Sequence, residues 1–221
     1  MMKKAELGLV HEILPPEKST EKPKMILLIH GYGSHEQDLF SFADSLNDKR
    51  FIISIRGPIQ LPFGGFAWYN IDFSNSPDRW TDDQQAMDSI ERIEQFIKDA
   101  VEAYDLSSED ICIMGFSQGS IISYSLLFRQ PSKIRSLVAM SGYIHSPLLP
   151  ERSGNELLTS QVLMTHGTMD EVIPIQWARR SEEVLEKLKI PHQFREYPMG
   201  HGVSPQCFQD ILLWMRDKNL I

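Results

Sequence analysis

The sequence predicts an α/β fold, a mostly parallel central sheet covered by helices, on two observations. Short apolar, β-branched runs alternate with segments of helical periodicity along most of the chain, the order in which a parallel sheet and its crossover helices are laid down. Several of these runs are apolar on successive residues, as strands buried on both faces must be. The chain has 221 residues, 42% of them hydrophobic. Single α/β domains of about 200–250 residues are common, so one domain over residues 1–221 is expected.

The first strand is placed at Leu7–Leu14. Pro15, Pro16 and Pro23 then interrupt a charged stretch, so Pro15–Lys24 reads as a surface connection after an edge strand. Met25–Ile29 and Phe51–Ile55 follow as buried strands. From Asp82 to about Tyr104, the residues Met87, Ile90, Ile93, Ile97, Val101 and Tyr104 recur at three- and four-residue steps on one helical face. Thr81, Asp82 and Asp83 supply a cap and the negative charge that a helix start prefers. Asp110–Met114 is the next strand, and Ser120–Gln130 a helix stopped by Pro131. Strands at Arg135–Met140 and Gln161–Thr165 precede a helix that opens near Pro174, carries Trp177, Val184, Leu185 and Leu188 on one side, and ends at Lys189 and Pro191. The strand Gln193–Tyr197 and a helix from Ser204-Pro205, with Phe208, Ile211, Leu212 and Met215, close the chain.

Composition excludes several classes of function. With 22 Lys+Arg against 30 Asp+Glu the net charge is −8, which argues against nucleic acid and anionic membranes as partners, both being polyanions. The longest apolar runs, Met25–Ile29 and Ile211–Met215, fall far short of the roughly 20 residues of a spanning helix. Met1-Met2-Lys3-Lys4 carries the charge of a signal peptide without its apolar stretch, so a cytoplasmic protein is expected. Cys112 and Cys207, far apart in the chain, suit neither a disulfide framework nor a metal site and read as reduced, packed thiols.

The chemistry is carried by Gly115-Phe116-Ser117-Gln118-Gly119, a G-x-S-x-G between the strand ending at Met114 and the helix from Ser120. This is the strand–turn–helix context of a nucleophile elbow: a side chain two residues to either side of the serine would collide with the neighbouring strand or helix, hence the glycines. A serine hydroxyl needs a base within hydrogen-bond reach and a third group to orient that base. His201 follows the strand Gln193–Tyr197 and lies between Gly200 and Gly202, where the backbone can turn tightly to the sheet edge. His11, His35, His145 and His192 have no such setting and read as surface or strand-end residues, and His166, before Gly167, as a structural hydrogen-bonding group. Asp170 follows the strand Gln161–Thr165, and between it and His201 there is room for one helix and one strand, returning the chain to the same sheet edge. Glu171 is the rival acid. Ser117, Asp170 and His201 are the expected catalytic residues, in the order Ser…Asp…His.

Developing negative charge on a tetrahedral intermediate needs fixed donors. Ile29-His30-Gly31-Tyr32-Gly33 ends the first central strand with glycines that allow close backbone approach. The backbone N–H groups of Tyr32 and Gln118 are the expected oxyanion hole. No metal and no cofactor is needed for such chemistry. The stretch Arg56–Trp80 shows neither period yet holds Phe63, Phe66, Trp68, Tyr69, Phe73 and Trp80. It is either a satellite cluster under a surface loop or a wall of the substrate pocket. No other insertion is large enough to cover Ser117, so the loop Arg56–Trp80 is the expected pocket wall, with Phe66, Trp68 and Tyr69 as candidate lining residues and which of its rings line it left open.

Taken together, His30-Gly31-Tyr32-Gly33, Arg56-Gly57-Pro58, Gly65-Phe66-Ala67-Trp68-Tyr69, Gly115-Phe116-Ser117-Gln118-Gly119, His166-Gly167 with Asp170, and Gly200-His201 resemble the α/β-hydrolase superfamily. Within it, the chain is similar to the phospholipase/carboxylesterase family of small bacterial carboxylesterases and acyl-protein thioesterases. The resemblance covers about residues 24–221. It implies the α/β-hydrolase fold with helices on both faces and a minimal cap, a serine hydrolase using Ser117, His201 and Asp170, and a Trp68 loop lining the acyl site. Where the thioesterase branch carries an Asp after the H-G-x-G glycine, this chain has Ser34, which favours the bacterial esterases. The expected activity is hydrolysis of small or medium carboxylic esters through an acyl-enzyme. The alternatives are a lysophospholipase or acyl-protein thioesterase, and a non-catalytic binding protein on the same fold, against which all three triad residue types are present.

Overall fold

The computed structural model describes residues 4–18, 21–72, 80–151 and 155–221. In chain order the elements are β1 (His11–Leu14), β2 (Lys24–Ile29), the one-turn helix α1 (Gln37–Phe40), β3 (Arg50–Ile55), four two-residue strands β4 (Ile59–Gln60), β5 (Phe66–Ala67), β6 (Ile71–Asp72) and β7 (Trp80–Thr81), and then α2 (Asp83–Ala103). There follow β8 (Ile111–Phe116), α3 (Gln118–Arg129), β9 (Ile134–Met140), β10 (Gln161–Gly167), α4 (Ile175–Lys187), β11 (His192–Tyr197) and α5 (Pro205–Asp217). Seven strands form one sheet in the order β1-β3-β2-β8-β9-β10-β11. Only β1 runs antiparallel, pairing His11 with Ile55 and Leu14 with Ile52; the rest are parallel.

The doubly buried strands expected from their apolar runs are present. Met25–Ile29 and Ile111–Met114 are wholly inaccessible to solvent, and each Leu or Ile so buried stabilises the fold by about 1.5–3 kcal/mol. Alternation divides their side chains between two cores. Leu27, Ile29, Ile111 and Ile113 pack with Ile90 and Ile93 of α2, Ile122 of α3 and Leu185 of α4. Ile26, Leu28, Cys112 and Met114 pack with Leu39 of α1 and Ile211 and Trp214 of α5. Helices therefore cover both faces, as the right-handed crossovers of a parallel sheet require on either side of the point where strand order reverses. That point lies between β2 and β8, and the serine elbow sits there.

Several boundaries differ from expectation for local reasons. The first strand begins at His11 rather than Leu7 because the chain bends at Gly8–Leu9. The preceding residues instead run to Tyr104, whose hydroxyl accepts from the Ala5 N–H at 3.0 Å. His11 opens β1, a strand end as expected, but it is buried, with Nδ1 2.9 Å from the Leu9 carbonyl and Nε2 2.7 Å from the Tyr104 hydroxyl. The cap of α2 is Asp82, whose carboxylate accepts from the Gln85 N–H, while the Thr81 hydroxyl donates to Asp83. Helix α1 spans one turn, too short to carry a periodic signal. Cys112 and Cys207 are free and buried, and burial pushes their thiols up to about 12 and about 11. Among the described residues no helix is long and apolar enough to cross a membrane.

Candidate active site

The elbow forms as its glycines dictate. Ser117 has φ 53° and ψ −118°, a conformation that L-residues rarely adopt. It is held there by β8 on one side and α3 on the other, with its N–H donating to the Met140 carbonyl at 2.9 Å and its own carbonyl accepting from Ile121. A Cβ on Gly119 would lie 2.1 Å from the Ile29 carbonyl oxygen, and one on Gly115 would lie 2.4 Å from the Ser123 hydroxyl and 2.6 Å from the Gly119 oxygen. Neither position admits a larger residue.

The structure brings Ser117, His201 and Asp170 together at the carboxyl ends of β8, β11 and β10. Ser117 Oγ lies 2.9 Å from His201 Nε2, and His201 Nδ1 lies 2.8 Å from Asp170 Oδ2. Asp170 Oδ1 accepts from the N–H groups of Val172 and Ile173, both at 2.8 Å. The carboxylate is thus buried with both oxygens engaged, and only Nδ1–H of a neutral His201 can donate to it, which leaves Nε2 free to accept the serine proton. Glu171, next in the chain, is exposed. His166 is fully buried; its Nε2–H donates to the Ile173 carbonyl at 2.8 Å and lies 3.3 Å from Asp170 Oδ2. Burial lowers its affinity for a proton, so it fixes the Asp170 loop as a neutral donor.

Tyr32 and Gln118 both line the cavity at Ser117. The N–H of Gln118 belongs to the first turn of α3, where backbone donors have no intrahelical acceptor and the helix dipole favours negative charge. Gly31 brings the β2 exit against the serine: a Cβ there would stand 3.2 Å from that of Ser117. His30, buried beneath, accepts from the Gly57 N–H at Nε2 (2.9 Å) and donates from Nδ1 to the Gly31 carbonyl (2.7 Å). Desolvation pushes its pKa down to about 4, so it is a neutral spacer between β2 and the Gly57 turn.

The cavity, of about 160 Å³, is lined by Tyr69, Ile71, Ile121, Tyr143, Val172 and Trp177 beside the polar groups. Of the three aromatic residues assigned to a pocket wall, only Tyr69 lines it. Trp68 is completely buried: its indole N–H donates to the His30 carbonyl at 2.9 Å and its backbone carbonyl accepts from the Ser89 hydroxyl. Phe66 turns away to lie under the Arg56 guanidinium, whose Cζ stands 4.4 Å from the Phe66 ring centroid, and Arg56 forms a two-pronged pair with Glu36. Phe73 and the Trp80 side chain lie outside the described residues. The described residues of the 56–81 stretch are therefore partly core and partly wall, organised by two small antiparallel ribbons.

Two features escaped sequence reasoning. The Gln118 side chain clamps the loop, its Oε1 accepting from the Trp68 N–H and its Nε2 donating to the Tyr69 carbonyl, both at 2.8 Å. Tyr143 from the β9 exit, Ile121 from α3, Val172 from the loop after β10 and Trp177 from α4 supply the rest of the wall, and neither their periodicity nor their type marks them as pocket residues.

A buried serine elbow at the switch point of a mostly parallel sheet, with histidine and aspartate on the following strand ends, is the arrangement of an α/β hydrolase. A family model described as Phospholipase/Carboxylesterase matches residues 11–218. The chain belongs to the phospholipase/carboxylesterase family, and with it to the serine ester hydrolases. It is 31% identical over 195 residues to "Acyl-protein thioesterase 1 homolog 1" of Dictyostelium discoideum, covering 82% of this chain and 84% of that one. Identity to acyl-protein thioesterase 1 of Debaryomyces hansenii is 25% over 223 residues, 90% of this chain and 94% of that one. Among solved structures, the Bacillus cereus carboxylesterase superposes with TM-score 0.82 at 21% identity, over 95% of this chain and 94% of its own.

Proposed function

We propose that the chain is a carboxylesterase working as one α/β-hydrolase domain through an acyl-enzyme, with Ser117 as nucleophile, His201 as general base and acid, and Asp170 as its orienting carboxylate. The observation that carries this reading is the unbroken hydrogen-bond chain from Ser117 Oγ through both nitrogens of His201 to a buried Asp170. Ser117 Oγ attacks the ester carbonyl while its proton passes to His201 Nε2. The oxyanion is met by the N–H groups of Gln118 and Tyr32, and each such donor is worth about 2.7–4 kcal/mol in comparable enzymes. Collapse of the intermediate expels the alcohol with the proton from His201, leaving the acyl group on Ser117. Water then repeats the sequence and releases the acid. The apolar walls from Ile71 to Trp177 suit the acyl chain.

A fluorophosphonate probe is expected to attach at Ser117. Ser117→Ala should lose labelling and about 10⁶ in kcat by analogy with other triads. Asp170→Asn should cost about 10⁴, whereas Glu171→Gln should leave kcat near that of the parent. Labelling at another serine, or the two acid results reversed, overturns the assignment. A second reading, acyl-protein thioesterase or lysophospholipase, is favoured by the names of the two sequence relatives above. A panel of simple esters, an S-acylated peptide and a lysophospholipid, compared by kcat/KM, separates the readings.

A further inference from the structure

We propose that the Tyr143–Trp177 ring pair is a partition that ends the acyl cavity, and that a second cavity behind it is a distal subsite for the far end of longer acyl chains. This rests on the reading of Ser117 as an acyl-transfer site. The two rings meet edge to face with centroids 4.8 Å apart, and both line the cavity that contains Ser117 and His201. The same two rings also line a second hollow of about 370 Å³, continued by Ile144, Pro147 and Val184, with His145, held by Asp83 at 2.8 Å, the exposed Arg180 and two serines as its polar groups. The first cavity is less than half that size. The pair is thus the shared wall of two compartments.

The backbones that carry the rings cannot easily part. Ser181, buried on α4, accepts from the Ile144 N–H at 2.8 Å and donates to the Trp177 carbonyl at 2.9 Å, which ties the β9 exit to the first turn of α4. Passage through the partition is therefore decided by side-chain rotation or size, without movement of α4. Tyr143 and Trp177 are both half-buried, and Tyr143 also meets the His145 ring edge to face at 6.1 Å. An acyl chain that fits the first cavity gains nothing from the second. A longer one reaches the rings and must displace them or stay partly in water, at a loss of about 0.8 kcal/mol for each unburied methylene.

The test compares kcat/KM for p-nitrophenyl butyrate, octanoate and palmitate in the parent, Trp177→Ala and the double variant Trp177→Ala/Val184→Phe. Removing the indole joins the two compartments, and burial of two further methylenes is enough to raise the palmitate-to-butyrate ratio about tenfold. Refilling the second cavity at Val184 should return the ratio toward the parent's. If Trp177→Ala does not fold, as judged by its thermal transition, Tyr143→Ala removes the other half of the partition and carries the same expectation. A ratio that stays at the parent value, or a gain that persists when Val184 is Phe, overturns the proposal. Absence of hydrolysis of any ester by the parent would instead overturn the reading of the Ser117 site itself.

Discussion

Ser117 holds a backbone conformation that costs on the order of 1–3 kcal/mol for a residue with a side chain, and it does so because β8 and α3 clamp it from both ends. The elbow is strained so that the hydroxyl stands clear of the strand, within reach of His201. Glycine alone escapes this cost. Ser117→Gly is therefore expected to be more stable than Ser117→Ala by about 1 kcal/mol, although both lack the hydroxyl. Urea denaturation of the two variants measures it, and an alanine variant as stable as the glycine one would show that the elbow is unstrained. Asp170 illustrates the complementary device: three donors converge on its two oxygens, so its orientation is fixed by geometry already built into the loop.

Among elements, the stretch from Gly57 to Thr81 shows how composition misleads when contacts are long-range. Phe63 is exposed, while Phe66, Trp68 and Tyr69 each face a different neighbour. Trp68 goes under the sheet edge to His30, Phe66 goes to Arg56, and Tyr69 goes to the cavity. Trp68→Ala is accordingly expected to destabilise the fold by about 3–5 kcal/mol and, where folded protein remains, to lower kcat/KM by a similar factor for short and long esters. Its ring lies outside the cavity lining and donates to the His30 carbonyl, so its loss acts through the β2 exit beside Gly31. A variant with near-parent stability but altered chain-length preference would return Trp68 to the pocket wall.

For the whole molecule, three buried histidines couple stability to pH in one direction. Desolvation lowers the pKa of His30 to about 4 and lowers those of His11 and His166 as well, and the Gly57 N–H occupies the very nitrogen of His30 that would take the proton. Below the ordinary imidazole pKa the unfolded chain binds protons that the folded chain refuses. Stability is therefore complete above about pH 6.5 and declines as pH falls toward 4. His30 by itself contributes on the order of 3 kcal/mol across that window. Urea midpoints measured at pH 7 and pH 5 should differ with the lower pH less stable, and equal midpoints would mean that these rings are solvated.

The sequence by itself determined the α/β class, the positions of the seven strands of the main sheet, and the three side chains that meet at its carboxyl edge. These are local matters: period, apolar runs, and a serine whose flanking glycines have no alternative where the Ile29 and Gly119 carbonyls approach so closely. The tertiary structure decided which side of a ring faces the cavity. Trp177 and Tyr143 are as apolar as any core residue in the chain, and only the approach of α4 to the β9 exit, fixed by one buried serine, makes them the wall of a pocket. The same is true of His11 and His30, whose burial follows from the partners that the fold brings from Tyr104 and Gly57. Contacts between residues far apart in the chain leave no periodic trace in it, because nothing in local order constrains them until the sheet has closed over both.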